Sequence, residues 1–215
     1  LIVFRTPCKS RTNKIFRIFG GVTILLPVGR FYGVARDFVL RPIRLFSIFV
    51  PMKNIVFDLG GVLFARDKSK CTPELLEFFS FLRAPRMPLF WEEYDRGTST
   101  LEEVTATISG MTGRPVETCA AVLRLAVDLQ EPVKPTERLV GDLKAAGYRL
   151  YVLSNMSREF IDFLRRFPVY GLFDGEVVSC EEHTVKPEPR IYEILLERYG
   201  LTPSEIGRAS CRERV

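Results

Sequence analysis

Residues 54–63 read Asn54-Ile55-Val56-Phe57-Asp58-Leu59-Gly60-Gly61-Val62-Leu63, a short apolar run that ends in an aspartate and a glycine turn. The residues before the aspartate have the β-branched and aromatic character of a strand buried inside a parallel sheet. Asp58 then stands at the carboxyl end of that strand, where open parallel sheets bind their ligands. Gly60 and Gly61 let the backbone turn tightly and approach an anion. Taken alone, the pattern also fits a solvated turn carboxylate.

Two later segments supply polar groups that suit the same edge of a sheet. Residues 150–155 read Leu150-Tyr151-Val152-Leu153-Ser154-Asn155, a second apolar strand that ends in a hydroxyl and an amide, and a helix is predicted over residues 157–166. Further on, Lys186 precedes Pro187 and Pro189 in a stiff turn, and apolar residues at helical spacing follow. We therefore expect a donor cluster of phosphate size beside Asp58.

These three segments, in this order, resemble the haloacid dehalogenase (HAD) superfamily over about Met52 to Ser204. Within that superfamily, the sequence is most similar to the branch that holds sugar-1-phosphate phosphatases and the amino-terminal phosphatase domain of soluble epoxide hydrolase. Phe57–Val62, Val152–Asn155 and Val185–Tyr192 carry this narrower resemblance. It implies an α/β fold, a Rossmann-like parallel sheet with a small α-helical cap inserted after the first strand.

The predicted domains follow from this resemblance and from the helical pattern of the insert. Residues 52–65 and 132–204 form the HAD core, and residues 66–131 form the cap, with 132–135 as the hinge. No strand pattern interrupts the insert, whose predicted helices cover residues 74–82, 88–96, 101–110 and 116–129. A further helix is predicted over residues 138–146. Trp91 and Tyr94 are expected to be core residues of the cap.

The resemblance also implies catalytic roles. Asp58 would attack phosphorus and form an aspartyl phosphate that water then cleaves. Ser154 would donate a hydrogen bond to the phosphoryl group, and Lys186 would offset the charge of nucleophile and phosphate. Mg²⁺ would be bound by the Asp58 carboxylate and by the backbone carbonyl of Gly60.

Three residues are predicted to bind substrate. Asn155 would help fix the phosphoryl group, and Gly61 would let the backbone approach it. Arg96 of the insert would offer its guanidinium to substrate oxygens. The expected substrate is a small phosphorylated metabolite, with a sugar phosphate as one candidate, and the oligomeric state is left open.

Gly60 departs from the pattern of many relatives, which carry a second aspartate there as the proton donor to the leaving group. A glycine cannot move a proton, so the leaving group is an easier one, or a cap residue or a water supplies the proton. Two other functions stay open at this point. One is dehalogenation, in which the aspartate attacks carbon without a metal, and the other is a non-catalytic HAD-like module that binds a phosphorylated ligand or a protein.

The ends of the chain differ from the middle. Residues 1–51 carry nine basic side chains against one acidic, whereas residues 52–204 carry nineteen against twenty-three. The net charge of +5 therefore comes from the ends and does not indicate a nucleic-acid partner. No uncharged apolar run approaches the roughly 20 residues needed to span a bilayer. The cysteines show no paired spacing, which favours a reduced, cytoplasmic protein over a disulfide or zinc framework.

Both ends are interpreted as foreign to the HAD core. Residues 1–51 precede Met52 and are read as a non-native or upstream extension, with a targeting segment as the alternative. Residues 205–215 can be back-translated into a string similar to a common sequencing adapter. They stand where the family has a fourth motif, an acidic pair that completes the magnesium site. We therefore expect an open apolar edge on the sheet, and a 215-residue chain that is poorly soluble and poorly active.

Overall fold

The computed structural model describes residues 53–67 and 69–209. In chain order the strands are β1 (Asn54–Phe57), β2 (Phe64–Arg66), β3 (Gln130–Pro132), β4 (Arg149–Ser154), β5 (Gly175–Val178) and β6 (Ile206–Ala209). The α-helices are α1 (Pro73–Phe78), α2 (Leu89–Arg96), α3 (Leu101–Thr112), α4 (Val116–Asp128), α5 (Lys134–Ala145), α6 (Arg158–Leu164), α7 (Ser179–Glu182) and α8 (Pro189–Tyr199). Three 3-10 helices cover Ser80–Arg83, Pro168–Leu172 and Pro203–Glu205. The predicted extension over residues 1–51 lies outside the described part.

A parallel sheet in the order β5-β4-β1-β6 forms the centre of the fold. Successive side chains of a strand point to opposite faces, so each face of the sheet needs its own cover. Phe57 packs on one face against Val140 of α5 and Ile161 of α6. Val56 packs on the other face against Ile191 of α8. Helices on both faces of a parallel sheet make the Rossmann-like α/β architecture, which confirms the predicted fold class.

Helices α1 to α4 form an insert with an apolar core of its own. Trp91 and Tyr94 are buried in it, as predicted, together with Leu75, Phe79, Ile108 and Leu123. Phe160 of α6 joins the same cluster, so the insert packs against the helix that follows β4. The predicted helices of the insert are present, except that the first ends at Phe78 and a 3-10 turn follows it.

The expectation that no strand interrupts the insert is wrong. β3 pairs antiparallel with β2, with Phe64 opposite Pro132 and Arg66 opposite Gln130. These strands are only three residues long, too short for alternation to be recognised in the sequence. The hinge predicted over residues 132–135 is not a continuous loop: β3 ends at Pro132, α5 begins at Lys134, and Val133 alone lies between them. Pro135 fits there because the first turn of a helix tolerates proline.

The predicted open edge beside β1 is also wrong. β6 pairs with β1 in parallel, with Asn54 opposite Ile206 and Phe57 opposite Ala209. The backbone of residues 206–209 therefore pairs with the side of β1 that was expected to be open, and β6 is the edge strand instead. The interpretation of residues 205–215 as foreign concerns their origin and stays a prediction.

None of the helices in the described ranges is long and apolar enough to cross a membrane.

Candidate active site

Asp58 follows the last residue of β1, at the carboxyl edge of the sheet. Its Oδ1 accepts a hydrogen bond from the backbone N–H of Leu59 at 2.9 Å and from the hydroxyl of Ser154 at 3.1 Å. Ser154 is the last residue of β4, which pairs with β1, so the parallel register delivers both side chains to one point. The predicted proximity of Asp58 and Ser154 is confirmed. The turn beyond the aspartate requires glycine at Gly61, whose φ is 71°.

Lys186 completes this group. Its Nζ lies 2.9 Å from Oδ2 of Asp58, and the two side chains are 3% and 14% exposed. A lysine this deeply buried needs a paired anion, because an unpaired buried charge is strongly destabilising. The two oxygens of Asp58 are thus fixed by different partners, a hydroxyl on one side and an ammonium on the other. This orients the carboxylate toward the space beyond the strand ends.

Asn155 holds the backbone of Lys186. Its Nδ2 donates to the Lys186 carbonyl at 3.0 Å, and its Oδ1 accepts from the Lys186 N–H at 2.7 Å. The side chain therefore joins the end of β4 to the loop of residues 183–188, which carries Lys186 and is called the lysine loop below. We expected Asn155 to fix a phosphoryl group directly, whereas in the structure both of these hydrogen bonds go to the backbone of Lys186. One N–H of the amide is left for a ligand, so direct binding stays a prediction.

Glu188 stabilises the lysine loop through hydrogen bonds to residues of the same loop. Its Oε2 accepts hydrogen bonds from the Thr184 hydroxyl at 2.7 Å and from the Val185 N–H at 3.3 Å. Arg96 donates two hydrogen bonds to the same carboxylate, from Nη1 to Oε2 at 2.9 Å and from Nη2 to Oε1 at 2.7 Å. These hydrogen bonds, that of Arg96 first, lower the pKa of Glu188 to about 2, so the carboxylate is charged at neutral pH.

This ion pair bears on the role predicted for Arg96. The residue was predicted to meet substrate oxygens, but its guanidinium is engaged by Glu188 and also by Glu92, at 2.9 Å. A fork-to-fork contact of this kind is strong and geometrically specific. Arg96 therefore ties the insert to the lysine loop in this structure. Substrate binding by Arg96 would require it to leave at least one of these carboxylates, and that role stays a prediction.

The end of α2 is fixed on the core at a second point. The Ser179 hydroxyl donates to the backbone carbonyl of Asp95 and accepts from the N–H of Met156, the latter at 2.9 Å. Gly97 ends the helix at a φ of 75°, and a Cβ there would lie 2.4 Å from the Cys180 carbonyl oxygen. Only glycine permits this close approach. The helix end is consequently held next to the loop that follows β4.

A cavity of about 500 Å³ lies between the insert and this edge of the sheet. Its lining includes Gly60, Gly61 and Asn155 from the core and Asp95 from the insert. Burial, and to a lesser degree Glu92, raises the pKa of the Asp95 carboxyl to about 7, against the opposing effects of Lys186 and the Ser157 backbone. This volume falls in the range of about 300–1,000 Å³ that is usual for small-molecule sites.

The residues present fit a magnesium ion of the kind that binds a substrate phosphate. Mg²⁺ is commonly held through one or two carboxylates while keeping several waters and phosphate oxygens. Asp58 supplies the carboxylate, and the backbone of Gly60, two residues further along the chain, lines the cavity. No cluster of three or more His, Cys, Asp or Glu side chains is present within residues 53–67 and 69–209. A dedicated protein cage for the metal is therefore not part of the described structure.

A Rossmann-like sheet that gathers polar and charged side chains at its strand ends is the architecture of an α/β enzyme. Residues 52–206 match the family model for haloacid dehalogenase-like hydrolases. The chain therefore belongs to the haloacid dehalogenase-like hydrolase family, which confirms the resemblance seen in the sequence. The narrower resemblance to one branch of the superfamily stays a prediction.

Two curated relatives carry phosphatase names. A sesquiterpene phosphatase from Aspergillus oryzae is 26% identical over 154 residues, which cover 71% of this chain and 77% of the relative. A glyceraldehyde 3-phosphate phosphatase from Methanothermobacter thermautotrophicus is 38% identical over 76 residues, which cover 35% of this chain and 34% of the relative.

Solved structures show the same fold. A HAD family enzyme from Bacteroides thetaiotaomicron, in a magnesium complex, superposes with a TM-score of 0.58 at 25% identity, over 73% of this chain and 82% of that one. A complex of that enzyme with magnesium and inorganic phosphate gives a TM-score of 0.57. An L-2-haloacid dehalogenase from Xanthobacter autotrophicus, at 17% identity and a TM-score of 0.54, shares the fold over 73% of this chain and 69% of that one.

Three residues of this site were not found by sequence reasoning: Asp95, Ser179 and Glu188. Glu188 stood inside the Lys-Pro-Glu-Pro segment and was available as a signal, since an acid between two prolines has few conformations. Asp95 and Ser179 had no local signal. Their importance comes from the docking of the insert onto the core, which involves residues 84 positions apart.

Proposed function

We propose that this protein hydrolyses a phosphate monoester of a small metabolite, with Asp58 as the nucleophile and Mg²⁺ as the cofactor. The observation that carries the proposal is the buried contact of 2.9 Å between Asp58 and Lys186 beside the Ser154 hydroxyl. The two phosphatase relatives and the magnesium and phosphate bound by the Bacteroides enzyme support it.

The chemistry follows from the arrangement of the side chains. An Asp58 oxygen attacks phosphorus in line with the departing oxygen of the alcohol, and the bond between phosphorus and that oxygen breaks. Water then attacks phosphorus of the aspartyl phosphate and releases inorganic phosphate. Lys186 offsets negative charge on the nucleophile and on the transferring group, and Ser154 donates a hydrogen bond to the phosphoryl oxygens. Magnesium, when bound, neutralises further charge on the phosphoryl oxygens.

The insert would act as a cap in this reaction. Its helix α2 is fixed to the lysine loop through Arg96 and Glu188, and to the β4 loop through Ser179. An insert held at these points covers the nucleophile and keeps bulk water away from it, which strengthens the electrostatic contacts in the site. The domain boundaries given above, with residues 66–131 as the cap, belong to this proposal.

Phosphate release is the direct test. The 215-residue chain, incubated with p-nitrophenyl phosphate and with a panel of natural monoesters, is expected to release phosphate with Mg²⁺ and to lose this activity when EDTA removes the metal. The control is halide release from 2-haloacids under the same conditions. Halide release that does not respond to EDTA, without phosphate release, would establish the dehalogenase instead.

A further inference from the structure

The walls of the active-site cavity are largely apolar, whereas a sugar phosphate was one of the substrates considered from the sequence. Six side chains from the insert and from α6 and its preceding loop provide the apolar lining: Leu76, Phe79, Leu82, Trp91, Met156 and Phe160. Phe79 and Trp91 meet edge to face, with ring centroids 5.9 Å apart. Apolar surface of this kind favours a ligand that is itself removed from water on binding.

Three of the polar side chains in the lining already contact other parts of the protein. The Arg66 guanidinium lies over the ring of Phe79, 4.3 Å from its centroid. Gln130 donates its Nε2 to the Ala126 carbonyl at 3.3 Å. Asn155 uses its carbonyl oxygen and one of its two N–H groups on the backbone of Lys186, which leaves a single N–H for a ligand. A sugar would need a hydrogen-bond partner for each hydroxyl that it buries, because an unpaired buried hydroxyl is costly. The cavity therefore disfavours a polyhydroxylated leaving group.

We propose that the substrate is the phosphate monoester of an apolar alcohol, whose hydrocarbon part fills the cavity while its phosphate meets Asp58. The phosphate end of this assignment rests on the function proposed above. The hydrocarbon end rests on the cavity lining alone, so the two can be tested apart. The shape of the hydrocarbon, linear or branched, is left to the experiment.

Binding of n-alkyl phosphonates gives a readout that does not depend on turnover. Trp91 is the one tryptophan of the sequence and lies in the cavity wall, so its fluorescence reports a bound alkyl chain. Each buried methylene contributes about 0.8 kcal/mol, roughly a fourfold change in affinity. From butyl to octyl phosphonate we expect Kd to fall on the order of 100-fold, with all ligands kept below their micelle concentrations. A Kd that is independent of chain length would overturn the assignment.

Two exposed leucines of the insert provide a matched pair of variants. Leu76 is 45% exposed and lines the cavity, whereas Leu89 is 68% exposed and does not. Leu76→Glu is expected to reduce the octyl preference at least about tenfold, since it would place a charge against the chain. Leu89→Glu should leave it unchanged. Equal effects of both substitutions would contradict the proposal.

Phosphate release from the alkyl phosphates separates the two proposals. Strong binding of octyl phosphonate without phosphate release from any monoester would contradict the phosphatase function and keep the apolar site. Phosphate release that is fastest with glucose 1-phosphate or glyceraldehyde 3-phosphate would overturn the apolar substrate and keep the phosphatase.

A second observation concerns the proton that an alkoxide leaving group needs. Gly60 cannot provide it, and the cavity lining contains one carboxylic acid, Asp95. Asp95 lines the same cavity as Gly60. Ser179 donates to its backbone carbonyl and also accepts from the N–H of Met156 in the loop after β4, so this part of α2 is fixed on the core. We infer that Asp95 protonates the departing alcohol oxygen as the bond to phosphorus breaks, and then accepts a proton from the attacking water.

The environment of Asp95 suits this role. Besides burial, the groups that act on its pKa are Lys186 and the Ser157 backbone of the core, which lower it, and Glu92 of its own helix, which raises it. Burial raises its pKa to about 7, so a large fraction is protonated at neutral pH, unlike an ordinary aspartate. Because the first step needs the protonated acid, kcat/KM should fall as the pH rises above about 7.

Asp95→Asn tests this with two substrates that differ in their leaving groups. For an alkyl phosphate, kcat/KM is expected to fall about 100- to 10,000-fold and to lose its decline above pH 7. For p-nitrophenyl phosphate, whose leaving group needs no proton, the loss should be less than about tenfold. Equal losses for both substrates would show that Asp95 serves only the structure.

Rescue by a new acid gives a further check. A Cβ at Gly60 would have only the Met156 Cε within 4 Å, at 3.9 Å, so the position accepts a side chain. Gly60→Asp in the Asp95→Asn background is expected to restore part of the alkyl phosphate activity. Failure of this rescue, together with an unchanged pH profile in Asp95→Asn, would overturn the assignment.

Discussion

Asp58→Asn is expected to lower phosphate release at least about 1,000-fold, because an amide cannot form the aspartyl (acyl) phosphate that the reaction needs. The measurement is the initial rate at saturating Mg²⁺, compared with the unaltered chain. Asp162→Asn is the matched control, since Asp162 is 55% exposed and pairs with Arg165 on the surface. Its rate should equal that of the unaltered chain. A rate for Asp58→Asn within tenfold of the original would contradict a nucleophilic role.

The same substitution should also destabilise the fold, and this must be separated from the chemistry. Lys186 is 3% exposed, so the neutral asparagine leaves a buried ammonium without its anion. Breaking a buried pair in this way typically costs about 3–5 kcal/mol. Asp58→Asn combined with Lys186→Met removes both charges and should recover most of the thermal stability without recovering activity. Lost activity in a stable double variant identifies a chemical defect.

The non-catalytic alternative makes a different prediction for these variants. A module that only binds a phosphorylated ligand would show no rate to lose, and its affinity for inorganic phosphate would change little in the stable double variant if Ser154 and backbone groups hold the anion. A hydrolase shows turnover in the unaltered chain that Asp58→Asn removes. Gly60, which motivated the alternative, is compatible with a hydrolase if the acid comes from the insert.

The elements that sequence reasoning identified are those with local signals. The strand before Asp58 is β1 at its predicted position, and the strand before Ser154 is β4 with one more residue at its start. Both carry continuous apolar runs, which is what a strand covered on both faces requires. Their parallel pairing then places Asp58 beside Ser154 without further information. This part of the site follows from hydrophobic pattern and from the geometry of parallel sheets.

The errors arose where tertiary contacts override local pattern. β2 and β3 are short and pair across more than 60 residues, so no window of sequence contains the pair. The partner of Arg96 was also hidden from sequence reasoning, because the folded chain brings Glu188 to it from 92 positions away. An open edge beside β1 was expected because residues 205–215 back-translate into an adapter-like string. A parallel edge strand needs little more than backbone groups to pair, so the origin of these residues does not decide whether they form a strand.

The character of the cavity also lay outside the reach of the sequence. Leu76, Phe79 and Trp91 were expected as part of an ordinary amphipathic pattern, which describes core residues and cavity-lining residues equally well. Trp91 is 7% exposed and belongs to the core of the insert while also forming the cavity wall. A core residue faces other side chains, whereas a cavity-lining residue faces empty space. Which of these applies depends on how the insert is placed over the sheet.

Lys186→Met is expected to reduce kcat by about 100- to 1,000-fold, because the ammonium offsets charge that the transition state concentrates beside Asp58. KM should change less than kcat, since the contact strengthens as the nucleophile and the phosphoryl group approach. The control is Lys70→Met, which removes an exposed lysine that pairs with Glu131 on the surface. Its kcat should be unaltered.

Thermal unfolding separates the electrostatic role of Lys186 from a structural one. Asp58 is 14% exposed, so water can reach the carboxylate when the lysine is gone, and the loss of stability should be smaller than in Asp58→Asn. Methionine keeps most of the length of the side chain, and the clamp from Asn155 is made to the backbone, so the loop should stay in place. A kcat that is unchanged in a folded Lys186→Met protein would contradict the assigned role. A Lys186→Arg variant that keeps the charge but not the fit should fall between the two, because a guanidinium is larger and planar where the buried site holds a compact ammonium.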